Sequence, residues 1–182
     1  MDSKDFDEFV RRQQAESTVA AAISWDQERD EWLAHLGNLY ANIESLLKKY
    51  TTAGQIRLAY RSIRLNEENI GSYTAKQMVL KIGRQEVHLV PVGTLIIGFK
   101  GRVDVIGPAG KSQIALVDSR ATSTASLIHV SVNAGREPPV VPKKRPRKIE
   151  WAWRIVTHPP ERRFIEITQQ TLFQLIMEVA NA

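Results

Sequence analysis

Cysteine is absent from the 182-residue chain. Its absence excludes a disulfide scaffold, a thiol nucleophile and any zinc or iron–sulfur site built on cysteine. Long apolar runs are missing too, and none approaches the ~18 residues that a membrane-spanning helix needs. The first residues, MDSKDFDEF, are acidic and lack an apolar core, so no secretory signal is expected. With no spanning helix and no secretory signal expected, the expectation is a cytoplasmic, soluble protein with no membrane partner. The serine-nucleophile pattern Gly-x-Ser-x-Gly is also lacking. Histidine is scarce, with His35, His88, His129 and His158 all far apart in the chain and no pair at ligand spacing.

What remains is ordinary globular material, 43% apolar and 25% charged, in a length suited to one domain or one domain with an appendage. The net charge of +5 is unevenly spread. Residues 1–50 carry ten acids and six bases, whereas residues 51–182 carry ten acids and nineteen bases. An acidic helical part therefore precedes a basic part, an asymmetry able to orient a partner or a second copy.

Residues 4–22 have helix composition, with Phe6, Phe9 and Val10 at i, i+3 and i+4. Ser24 then reads as an N-cap, and the Ser24–Gln27 spacing has the form of a capping box. From Trp25 the apolar residues Trp32, Leu33, Leu36, Leu39, Tyr40, Ile43, Leu46, Leu47 and Tyr50 recur at helical steps. They predict one helix of about 26 residues, roughly 39 Å long at ~1.5 Å per residue. Lys48 and Lys49 suit its last turn, and Gly54 closes it.

From Gln55 the period changes from 3.6 to 2. Strands are expected at 55–65 (with a bulge near Ser62), 77–82, 86–92, 95–99, 102–106, 112–118, 127–132, 149–156 and 163–167. Pro91 argues for a strand end or edge. Thr168 is a good N-cap for a last helix with Leu172, Phe173, Leu175, Ile176 and Val179 on one face. No crossover helix separates the strands, so the sheet is expected to be antiparallel. The fold class is α+β: an N-terminal helical arm, a mainly antiparallel curved sheet or partial barrel of about eight strands, and a C-terminal helix. The expected division is a helical arm at 1–54 and a sheet body at 55–182, which includes a basic Pro-rich loop at 134–148 and the helix at 168–180.

Few motifs carry chemistry. Gly110-Lys111-Ser112 imitates a phosphate-binding loop, but Val105 stands where that loop needs glycine, and a strand pattern follows. It is expected to be a hairpin turn. Ser45 and Lys48 have serine-x-x-lysine spacing without companion motifs. His88 and His129 could meet Asp104 or Asp118 across the sheet, which would be the seed of a hydrolase-like site. Trp151 and Trp153 share a strand face with Ile149 and Ile155 and are expected to pack. No catalytic residue, metal ligand or cofactor is expected.

Segment 134–148 holds four prolines and six bases: Arg136, Lys143, Lys144, Arg145, Arg147 and Lys148. Those bases are the candidate contacts for a nucleic acid or another polyanion. The primary expectation is different: a non-enzymatic protein–protein interaction or assembly module, acting on itself or a protein partner through its amphipathic arm. Its expected interface residues are Trp25, Trp32, Leu36, Leu39, Tyr40 and Ile43, since a water-facing helix would not carry so wide an apolar face.

Overall fold

The computed structural model describes residues 6–11, 24–94, 99–124, 149–160 and 162–181. Residues 6–11 are helical (α1). They are followed by α2 (Trp25–Thr52), β1 (Ile56–Glu67), β2 (Gly71–Ile82), β3 (Gln85–Gly93), β4 (Gly101–Gly107), β5 (Gly110–Asp118), β6 (Trp151–Val156), β7 (Phe164–Glu166) and α3 (Gln169–Ala180). The strands form one antiparallel meander in chain order, β1 through β7. The curved sheet stays open rather than closing into a barrel. The strand expected at 127–132 lies outside the described residues, as do residues 95–98 and the basic loop.

Helix α2 starts as expected. Ser24 Oγ accepts from the Gln27 backbone N–H at 3.3 Å. The second half of the expected capping box is replaced, because the Gln27 amide donates along the helix to Glu31 instead. Asp26 and Glu28 occupy the first turn and Lys49 the last, both favourable to the helix dipole. Gly54 ends the element with φ +70°, a left-handed conformation that glycine adopts without strain. Thr168 caps α3 reciprocally with Thr171, each side-chain oxygen accepting from the other's backbone N–H at 3.2 and 2.9 Å.

The apolar faces of α2 and α3 meet the same side of the sheet. Trp32, Leu36, Leu39, Ile43 and Leu47 from α2 join Leu172, Leu175, Ile176 and Val179 from α3 and Met78, Leu80, Val87, Leu89, Val103, Val105 and Ile114 from the strands. Each large side chain so buried stabilises the fold by about 1.5–3 kcal/mol. At the centre Trp32 is fully buried, its ring 5.9 Å from that of Trp153. Trp153 donates from Nε1 to the His35 carbonyl at 2.9 Å, fixing β6 to the helix. The expectation that Trp153 packs is thus met.

Two irregularities shape the sheet. No bulge occurs near Ser62, since β1 and β2 keep one register from Ile56↔Ile82 to Glu67↔Gly71. The buried side nevertheless changes from the even residues Met78 and Leu80 to the odd residues Tyr73 and Ala75. The change falls where β2 leaves its pairing with β3, which covers only Met78 to Ile82. Beyond that point β1 and β2 form a two-stranded ribbon, and such ribbons twist more strongly than wide sheets. The actual register shift lies between Pro91 and Gly93. There Glu67 at the ribbon's end accepts from the Thr94 N–H and Oγ1 at 2.9 and 2.8 Å, and from the Tyr73 hydroxyl. One carboxylate thus joins the ribbon tip to the end of β3.

Gly101 is required by packing. A Cβ at that position would lie 2.2 Å from the Trp32 ring, a rigid group held on all sides. Gly101→Ala should therefore cost about 1–3 kcal/mol by overpacking. Thermal unfolding followed by circular dichroism should show a lowered midpoint, and Trp32→Phe in the same chain should restore part of the loss.

Candidate functional site

The expected interface residues fall mostly inside the chain. Trp32, Leu36, Leu39, Tyr40 and Ile43 are buried against the protein's own strands. This corrects the expected role of these five as a free docking face, because the curved sheet covers the stripe along most of the helix. Tyr40 illustrates the fit, with its hydroxyl donating to the Lys76 carbonyl at 2.7 Å. Burial pushes the Tyr40 hydroxyl well above the ordinary phenol range, and it does the same to Tyr73, where Glu67 adds to the effect. Only Trp25 keeps appreciable exposure, at the start of the arm.

The N-terminal half of α2 is tied to β4 by charge. The mostly buried Lys100 ammonium pairs with Glu28 and, at 3.4 Å, with Glu31, and it sits 5.9 Å from the Trp151 ring centroid. His35 lies on the same stretch. Burial, and secondarily Lys100, lower its pKa, with Glu31 opposing.

The hydrolase-like expectation finds no support in the described residues. His88 stands between Gln77, 2.8 Å from Nδ1, and Glu86, 3.4 Å from Nε2. Asp104 is instead held by Lys111 at 2.6 Å and Arg102 at 3.1 Å. Asp118 is bound by Arg120, which lowers its pKa to about 2. His129 lies outside the described residues. Gly110-Lys111-Ser112 opens β5 after a tight turn, as expected of a hairpin. Ser45 and Lys48 are both exposed on α2.

Two kinds of recess flank α3. On one side Lys111, Ser112, Gln113, Thr157, His158 and Arg162 line a polar hollow of about 180 Å³. His158 there bonds Glu178 of α3 at 2.6 Å through Nε2. Among the described residues no hydrogen bond joins Ser112 to His158, so no relay reaches the serine. No group of three or more histidine or acidic side chains among them is placed to hold a metal ion. Nor is any of their helices long and apolar enough to cross a membrane.

The other recess is apolar. It measures about 230 Å³ and is lined by Leu47 and Tyr50 of α2, Ile56 of β1, and Phe173, Ile176 and Met177 of α3. Tyr50 and Phe173 meet edge to face at 5.4 Å and form one wall. Met177 is 54% exposed on its rim. Phe173 and Met177 lie four residues apart on α3, beside the stripe that enters the core. That second apolar stripe was the available sequence signal. The expected face of this helix includes Phe173 and leaves Met177 out, because periodicity does not reveal where a neighbouring helix ends. The six candidate polyanion contacts, Arg136, Lys143, Lys144, Arg145, Arg147 and Lys148, lie outside the described residues.

Two measurements follow from these placements. Leu36→Ala and Ile43→Ala should each destabilise the chain by about 2–5 kcal/mol, whereas Trp25→Ala should change stability by less than about 1 kcal/mol; urea unfolding separates the two cases. The depressed His35 pKa means that the folded state prefers the neutral ring. Its contribution is therefore present above the unfolded value of about 6.5 and lost as pH falls toward the folded value. Stability measured from pH 7 to 5 should decline more steeply in the parent than in His35→Gln. No protein-family model, curated protein or solved structure matches this chain.

Proposed function

We propose that the protein is a non-enzymatic assembly module that associates with itself through the end of its helical arm. The supporting observation is the apolar recess where α2, β1 and α3 meet, lined by Leu47, Tyr50, Ile56, Phe173, Ile176 and Met177. A methionine more than half exposed beside two aromatic rings is a suitable docking element, since its flexible thioether adapts to a partner and favours contact with aromatic rings. In this reading the arm remains the working part, but its C-terminal end does the docking. The stripe from Trp32 to Ile43 supports the arm from inside.

Light scattering over a wide concentration range tests the reading. Reversible association is expected, and Met177→Glu, a change at an exposed position, should weaken it at least about tenfold, or 1.4 kcal/mol. Circular dichroism should be unchanged. A parent chain that stays monomeric throughout would overturn the reading, and so would a Met177→Glu chain that associates like the parent.

A further inference from the structure

We infer that the occupant of the apolar recess is helix α1 of a second copy of this chain, an inference that rests on the assembly reading above. Phe6 and Phe9 are the most exposed large apolar side chains among the described residues, at 65% and 57%. Their rings lie 6.3 Å apart on one side of α1. Among the described residues nothing covers these two phenyl groups and nothing fills the recess, so one has the form of an anchor and the other of a socket. The sizes agree: an apolar cavity of roughly 150 Å³ accepts a benzene ring, and the recess offers about 230 Å³. One phenylalanine ring can enter against Tyr50 and Phe173, with the other resting on Met177 at the rim.

Charge favours the same pairing. Residues 1–11 carry four acids, Asp2, Asp5, Asp7 and Glu8, against Lys4 and Arg11. At the recess Lys49 lies 5.9 Å from the Tyr50 ring centroid, while Lys48 and Arg57 are exposed nearby in the chain. The acid beside Met177 on α3, Glu178, is engaged by His158 at 2.6 Å. An acidic helix bearing two aromatic anchors thus suits an apolar hollow with Lys49 beside its Tyr50 wall.

Chain length favours a second copy over the same one. Trp25 and Tyr50 are 25 residues apart on one helix, about 37 Å at ~1.5 Å per residue. Thirteen residues, 12–24, separate α1 from α2. They span at most about 45 Å when fully stretched. Docking within one chain would need that connection drawn out to about four-fifths of its full length. Docking onto a neighbour carries no such constraint. The contact joins anchor to socket, and it either closes reciprocally into an isologous two-fold dimer or continues head to tail as a heterologous one.

A mixing experiment tests this on the full-length chain. Phe6→Ser/Phe9→Ser removes the anchor and keeps the socket, whereas Met177→Glu blocks the socket and keeps the anchor. All three substituted positions are exposed, and circular dichroism checks that both variants remain folded. Each variant alone is expected to be monomeric by light scattering, and an equimolar mixture is expected to form a 1:1 complex through the one intact pairing. If the Phe6→Ser/Phe9→Ser chain associates like the parent while Met177→Glu does not, α1 is not the occupant and the recess reading survives. Two monomeric variants that fail to combine would likewise overturn the α1 assignment. A parent that never associates would overturn both readings.

Discussion

Burying the apolar face of α2 is the constraint on which the rest of this structure depends. A 28-residue helix with Trp32, Leu36, Leu39, Tyr40, Ile43 and Leu47 on one side needs a cover of comparable length. A flat sheet would meet it along a line, but a curved meander wraps it. Gly101 lets β4 come down onto the Trp32 ring, and Trp153 reaches across from β6 to the His35 carbonyl. The C-terminal helix completes the same core, its end meeting the β4–β5 turn where the Ala109 N–H donates to the Val179 carbonyl at 2.8 Å. Gly107 allows this approach, since a Cβ there would lie 2.3 Å from that carbonyl oxygen.

Polar side chains do a second job at the margins of that core. Glu67 secures the twisted ribbon to β3, Lys100 ties β4 to the first turns of α2, and Asp104 pairs with Arg102 on its own strand and with Lys111 across the β4–β5 ladder. Each carboxylate or ammonium has its partners within the fold, which makes these groups parts of the architecture rather than idle reactive centres. Buried charges persist when paired in this way and would otherwise be expelled or neutralised. Among the described residues the Phe6–Phe9 pair and the recess rimmed by Met177 are apolar features left at the surface. That contrast is why the functional reading turns on association rather than on a reaction.

Much of the fold could be read from the chain, and the reasons are local. The steps from Trp32 to Tyr50, the Ser24 and Thr168 caps and the return to helix after Ile167 each depend on residues within a few positions of one another. The Gly83-Arg84 and Pro108-Ala109 links define hairpins in the same local way, with Gly83 at φ +60°. Pro91 lies inside β3, paired with Val103 of β4, but beyond the last β2–β3 pair at Leu89, so the edge position it argued for holds on the β2 side. The expected bulge at Ser62 failed for an equally physical reason. A change of buried face can come from a bulge or from ribbon twist, and alternation alone does not separate the two.

By itself the sequence determined the type and order of the elements, their capping and the antiparallel character of the sheet, since all of these follow from short-range periodicity and turn chemistry. Only the tertiary structure decided which apolar residues are core and which are surface. Trp32, Leu36, Ile43 and Leu47 are core whereas Trp25 on the same helix keeps part of its surface exposed, and nothing in their spacing says that a sheet from β2 to β6 will cover the former. Nor does spacing say that α3 will leave Tyr50, Ile56 and its own Met177 lining an open recess. Burial is set by what arrives from elsewhere in the chain, and the contacts that define it join residues more than a hundred positions apart, as with His35 and Trp153.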